Sequence, residues 1–261
     1  MKIKLSLILL LLSLVVQAQK LAVLQTSAFE AGETLKYKFK YGFFTGAEAT
    51  LQVLHSDLKF DNHETYRLVA QGRTSGTFDI FYKIRNRYES YIDKDTFVPY
   101  LYTEDVNESD YHRTDKARFY PTEKKVIAKK GTFKSTADQV FDLVSAYYFS
   151  RNLDLSTINI GDKITLNYFL EDGITALGIE YMGKEKIKTN MGYFNCRKYS
   201  PAIQPGRIFR KSSRLYLWIT DDSNNIPVKA QAELVVGSVT MELTSTEGLK
   251  TALKIVSKRG N

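Results

Sequence analysis

Cysteine is almost missing from this chain of 261 residues, with Cys196 alone. No disulfide can form within the chain, so a hydrophobic core must hold the fold. Cys196 also lies far from the N-terminus, and no lipid-modified cysteine is expected behind the leader. Proline is scarce, at five residues, and no low-complexity tract interrupts the chain, which argues against flexible linkers. The three histidines, His55, His63 and His112, are spread out, and no H-x-x-x-H or C-x-x-C pair exists. Zinc would lack its compact ligand set, so no metal and no cofactor is expected. Walker loop and G-x-G-x-x-G are missing, which removes nucleotide-driven chemistry. The G-x-S-x-G elbow is missing too: Gly72-Arg73-Thr74-Ser75-Gly76 carries its serine one place late and reads as a turn. No repeat of fixed period appears.

What is present begins at the N-terminus. Met1-Lys2-Ile3-Lys4 is a short cationic start, Leu5 to Val16 is almost wholly apolar, and Val16-Gln17-Ala18 suits signal peptidase. Residues 1–18 therefore read as a secretory signal, cut before Gln19. The apolar run is shorter than the roughly 20 residues of a spanning helix. The expected mature product, residues 19–261, is a single domain, exported to the periplasm or the outer membrane, with no transmembrane segment after cleavage. At 43% hydrophobic and 13% aromatic residues the chain can bury a proper core, which excludes disorder. A net charge of +8 permits contact with anionic lipid or polysaccharide. Export makes nucleic acid an unexpected partner.

Most of the chain alternates with a period of two. Leu35, Tyr37, Phe39 and Tyr41 alternate with Lys36, Lys38 and Lys40, which predicts a strand with one apolar and one cationic face. Gly42–Gly46 and Gly72–Gly76 read as turns, with strands at 47–53, 66–70 and from Ile80 through Tyr82 and Ile84 to Tyr91. Further strands are expected at 97–102, 117–120, 125–128, 164–170, 177–181, 194–199, 215–219, 228–234 and 239–243. One segment departs from this pattern. Val140, Leu143, Val144, Tyr147 and Tyr148 form a helical stripe, Thr136 with Gln139 has the form of a capping box, and Arg151 suits the last turn. The predicted fold is mainly β: one large curved antiparallel sheet or partly closed β-barrel, with a single packed α-helix over about 137–151.

Several segments resemble the DUF3108 family of exported bacterial proteins. They are Phe29-Glu30-Ala31-Gly32-Glu33-Thr34-Leu35-Lys36-Tyr37, Gly46-Ala47, the helical run from Asp138 to Arg151, Leu217-Trp218-Ile219-Thr220-Asp221-Asp222 and Ile226-Pro227-Val228. The resemblance implies a mostly antiparallel β domain in the envelope, with a leader junction like those of Bacteroidetes. It brings no catalytic residues.

A search for chemistry returns little. Glu104, Asp105, Glu108, Asp110 and Asp115 could in principle supply a glycosidase pair, but they read as solvated hairpin charge. Asp221, Ser223 and Asn225 begin like a calcium loop, yet Ile226 stands where its glycine belongs. Cys196 has no neighbouring base and reads as a buried core side chain. No catalytic residue is therefore assigned. The leading expectation is a non-catalytic envelope protein binding a lipid or envelope glycan on the curved sheet, with Val144, Tyr147 and Tyr148 as ligand contacts. The alternative is a scaffold that meets an envelope protein through a sheet edge or the 204–214 loop, where Arg207, Ile208, Phe209, Arg210 and Lys211 would contact a partner or membrane. A polysaccharide- or ester-acting hydrolase ranks third.

Overall fold

A computed structural model describes residues 23–24, 26–170, 173–202 and 213–257. The expected leader, residues 1–18, lies outside them. Period-two segments become the strands β1 (Thr34–Tyr41), β2 (Phe44–Phe60), β3 (His63–Thr74), β4 (Arg85–Asp93), β5 (Pro99–Glu108), β6 (Tyr111–Tyr120), β7 (Lys125–Ala128) and β8 (Gly131–Lys134). The second half adds β9 (Lys163–Leu170), β10 (Gly173–Thr189), β11 (Gly192–Pro201), β12 (Leu215–Thr220), β13 (Pro227–Glu233) and β14 (Ser238–Glu247). Among the described residues two helical segments complete the fold, α1 (Phe78–Phe81) and α2 (Leu143–Arg151).

All strands join one antiparallel sheet in the order β8-β7-β6-β5-β4-β3-β2-β1-β14-β13-β12-β11-β10-β9. The first eight meander away from β1. The chain then crosses through α2 to the far edge and meanders back until β14 pairs with β1, Thr34 facing Glu247 and Tyr41 facing Val239. The sheet stays open between the edge strands β8 and β9. Those edges nevertheless approach each other, since Phe133 of β8 and Phe169 of β9 meet at 5.2 Å between ring centres. This is the curved, partly closed antiparallel sheet that the alternation predicts.

The helix is shorter than the apolar stripe suggests, beginning at Leu143 rather than near residue 137. Its N-cap is Asp142, whose carboxylate accepts from Val144 N and Ser145 N at 2.9 Å each. Ser145 Oγ in turn receives Asp142 N, closing a capping box six residues later than Thr136 and Gln139 would place it. The residues before the cap are drawn onto the edge of β9 instead. Phe141 N donates to Asn167 O at 2.9 Å and Phe169 N to Phe141 O at 2.7 Å. Val140 thus leaves the helix, and Leu143 faces solvent. Sheet pairing of an otherwise unpaired edge outweighs the six further helical residues.

Other boundaries move for local reasons. The strand expected from Ile80 becomes α1 and an extended link, because Gly76 takes a positive φ of 61° and turns the chain out of β3. The Gly72–Gly76 turn is shorter than expected, since β3 continues to Thr74. The polar 104–115 stretch is itself strand on both sides of the turn at Ser109 and Asp110. β8 was not anticipated.

α2 packs on the concave face against β3, β4 and β9. One core cluster surrounds it, including Phe29, Leu68, Ile92, Phe119, Tyr148 and Leu166. A second holds Leu35, Tyr37, Phe194, Cys196, Trp218 and Val228 farther along the sheet, and Tyr147 touches both. Hairpin connectivity gathers the β1–β2, β3–β4, β5–β6 and β13–β14 connections at one end of the sheet. Among the described residues no helix is long and apolar enough to cross a membrane.

Candidate functional site

The outer face of β1–β4 carries charge organised by register. Lys38 faces Glu48, Glu48 faces Arg73, and Arg73 faces Arg85. The neighbouring row runs Lys36, Thr50, Gln71 and Arg87. Between these rows lies a groove of about 610 Å³, which Ala49, Gly72, Asn86 and Thr244 also line. Its cations are Lys36, Lys38, Arg73, Arg85 and Arg87, against the carboxylate of Glu48.

Like charges placed directly opposite destabilise a sheet, so the Arg73–Arg85 pairing depends on acids around it. Glu48 Oε2 accepts from Arg73 at 2.9 Å. Asp79 takes both Arg85 Nη1 and Nη2, at 2.7 and 2.8 Å, and also Thr74 Oγ1 at 2.6 Å. The Arg85 guanidinium, with help from Thr74, holds the Asp79 carboxyl well below the usual carboxylate range. Arg87 pairs with Glu89 at 2.6 Å and Lys36 with Glu247 at 3.2 Å. Lys38 makes no ion pair among the described residues. The groove presents fixed cationic forks beside amide and hydroxyl groups, a chemistry suited to carboxylate or phosphate oxygens.

The expected ligand contacts lie elsewhere. Val144 and Tyr148 are buried in the core under α2, and Tyr147 is half-buried beside them. Tyr147 and Tyr37 share a hydrogen bond between their hydroxyls at 3.1 Å, and burial pushes the Tyr147 hydroxyl up to about 12. The same turn of α2 carries Arg151, whose guanidinium reaches Glu33 Oε1 at 2.5 Å and Oε2 at 2.8 Å. It also donates to Asn224 O at 3.0 Å and lies over the rings of Phe29, Tyr147 and Tyr148. Arg207, Ile208, Phe209, Arg210 and Lys211 lie outside the described residues.

The acids of 104–115 separate by face. Glu104 and Asp115 are register partners turned inward. Glu104 has only 8% of its side chain exposed, and Arg113 bridges the two carboxylates at 2.8 and 3.0 Å. Tyr102 Oη donates to Glu104 at 3.0 Å. Alternation in β5 and β6 thus puts Glu104 and Asp115 inside, where the sequence reads as solvated hairpin charge. Asp105 and Asp110 remain outside.

All three histidines are exposed. His63 Nδ1 contacts Asp93 at 2.8 Å. Burial raises the Asp93 carboxyl, but hydrogen bonds from Thr96 N, Asp95 N and Tyr100 Oη outweigh it and hold the group below its usual range. Asp93 thereby ties the β4–β5 turn. Cys196 is buried in the second core cluster, and burial pushes its thiol up to about 12. Iodoacetamide is therefore expected to leave Cys196 intact in the native protein near pH 8 and to alkylate it in urea. Mass spectrometry reads the outcome, and native alkylation would contradict the burial.

Residues 36–244 match the family described as a protein of unknown function, DUF3108. The chain belongs to this family. No curated protein matches its sequence. Its fold is similar to that of a β-barrel-like DUF1849 protein from Brucella abortus, at 10% identity and a TM-score of 0.56, covering 87% of this chain and 99% of that one. Weaker likeness extends to a protein described as exported, with a YmcC-like fold, from Bacteroides fragilis, at 11% identity and a TM-score of 0.38 over 86% and 99% of the two chains. In this DUF3108 chain most of the segments that carry the resemblance meet at one knot, Gly46-Ala47 excepted. Phe29 and Glu33 come from the first, Tyr147, Tyr148 and Arg151 from the helical run, and Asn224 and Asn225 lie between the last two. The knot joins β1, α2 and the β12–β13 turn, which makes it architecture.

Proposed function

We propose that this DUF3108 protein is an exported, non-catalytic component of the cell envelope whose outer groove binds an acidic glycan. The cationic leader and apolar run of residues 1–18 support export. The observation that carries the binding reading is the opposed pair Arg73 and Arg85, with Lys38 beside them, in a groove that also offers Thr50, Gln71 and Thr244. Cations meet uronate or phosphate oxygens, while amides and hydroxyls meet sugar hydroxyls. An open groove across a sheet face suits an extended chain rather than an enclosed small molecule.

Titration calorimetry with polygalacturonate, against a neutral glucan, tests the reading. Arg73→Ser is expected to weaken polygalacturonate binding about tenfold, the scale of one charge-assisted contact. Stability should stay within about 0.5 kcal/mol, because an exposed side chain is removed. Equal affinity for both glycans, or an unaffected Arg73→Ser variant, rules the groove out.

A second reading places an apolar ligand at Val144, Tyr147 and Tyr148. Tyr148 Oη is buried without a hydrogen-bond partner among the described residues, so such a ligand would have to bring one polar group to it along with its apolar part. Native mass spectrometry of protein taken from its own envelope tests it, and absence of co-purifying lipid removes it.

A further inference from the structure

The end of the sheet that gathers the β1–β2, β3–β4 and β13–β14 connections carries large apolar side chains in water. Phe43 is 100% exposed, Phe81 85%, Ile80 81%, Val236 71% and Phe44 68%. A soluble protein rarely leaves several such groups together unless something covers them. They belong to connections far apart in sequence, and the structure braces those connections so that the side chains stay outside. Phe78 lies over Gly46, where an added Cβ would stand 3.3 Å from its ring. Ser75 N donates to Gly46 O at 3.1 Å, and Tyr41 Oη to Val236 O at 3.2 Å. Lys83 and Ser109 bind each other, Ser109 N donating to Lys83 O at 2.7 Å and Lys83 N to Ser109 Oγ at 3.2 Å.

Charge accompanies this apolar end. Lys83 is exposed within it and makes no ion pair among the described residues. Lys38, Arg73 and Arg85 lie just behind it on the outer face. The nearby acids are Asp79, engaged by Arg85, Glu48, engaged by Arg73, Glu108, which accepts from Tyr82 Oη at 3.3 Å, and Asp110 in the β5–β6 turn.

We propose that this end docks onto a bilayer containing anionic phospholipid, with Phe43, Phe44, Ile80, Phe81 and Val236 entering the interfacial layer. Lys83, Lys38 and the neighbouring arginines then face the headgroup phosphates, a pairing that adds electrostatic attraction to apolar burial. Separate protruding tips suit a fluid interface better than a rigid partner. A second copy fits less well, because a two-fold contact would set these cations against themselves.

The test uses the chain from Gln19 onward, since the apolar leader would itself bind lipid. It is sedimented with vesicles containing phosphatidylglycerol or made of phosphatidylcholine alone. Binding is expected with the anionic vesicles and should weaken as salt rises. Phe43→Ser, Ile80→Ser and Phe81→Ser combined should lower partitioning at least about tenfold, with an unchanged melting temperature because these side chains make little of the core. Emission from a Phe43→Trp variant should shift to the blue on adding the same vesicles. Failure of the unmodified chain to sediment, undiminished binding by the triple variant, or an unshifted Trp spectrum overturns the proposal. So does a dimer in sedimentation velocity that only the triple variant loses. The triple variant separates this from glycan binding, since none of its three side chains lines the groove and its polygalacturonate affinity should stay unchanged.

Discussion

Replacing Arg151 with methionine should destabilise the protein by about 3–5 kcal/mol, the cost of leaving one charge of a buried pair uncompensated. Arg151 and Glu33 have essentially no exposed surface. The guanidinium satisfies the carboxylate with two hydrogen bonds and lends another to Asn224 O. Removing it strands Glu33 in the interior and unties α2 from β1 and the β12–β13 turn. Changing both members, Glu33→Leu with Arg151→Met, should recover much of the loss, because desolvation of both charges disappears with their attraction. Urea denaturation followed through Trp218 emission measures both. A single-variant cost below about 1 kcal/mol would show that the pair does not hold the helix.

Phe29→Ala should cost a similar amount, about 3–5 kcal/mol, for a large ring lost from a site with no solvent access. The ring meets Tyr148, Phe97 and Tyr66 edge-on at 4.9, 5.6 and 6.0 Å between centres. It also lies 5.4 Å from the Arg151 guanidinium, so truncation removes a cation–π contact as well as packing. Either loss is a large fraction of the 5–15 kcal/mol typical of a folded domain. Phe29→Leu should cost clearly less, because it refills most of the volume. The urea midpoints of the two variants check that order.

How far the candidate sites were legible differs residue by residue. Lys36 and Lys38 were readable as one cationic strand face because their alternation with Leu35 and Tyr37 is local. That Arg73 and Arg85 complete the face was not, since register between β3 and β4 decides which side chains stand opposite. A turn after Tyr41 was readable, but it spans only Gly42 and Phe43 rather than Gly42–Gly46, because β2 pairs with β1 from Phe44 onward, and the complete exposure of Phe43 was not readable at all. Exposure depends on what neighbouring loops cover. The helical stripe was sound around Val144, Tyr147 and Tyr148, and its start was misplaced because Phe141 pairs with β9, a partner invisible in a window around residue 140. The 104–115 acids read as solvated because a polar run shows no face until its strands are aligned.

By itself the sequence determined a mainly β architecture, the one packed helix and a core held without disulfides. Each follows from composition or from side chains two to four places apart. Tertiary structure alone decided the Glu33–Arg151 knot, the opposed arginines of the groove and the shared apolar end. Glu33 and Arg151 stand 118 residues apart. Their meeting depends on the order in which strands neighbour one another, and no local period encodes that order.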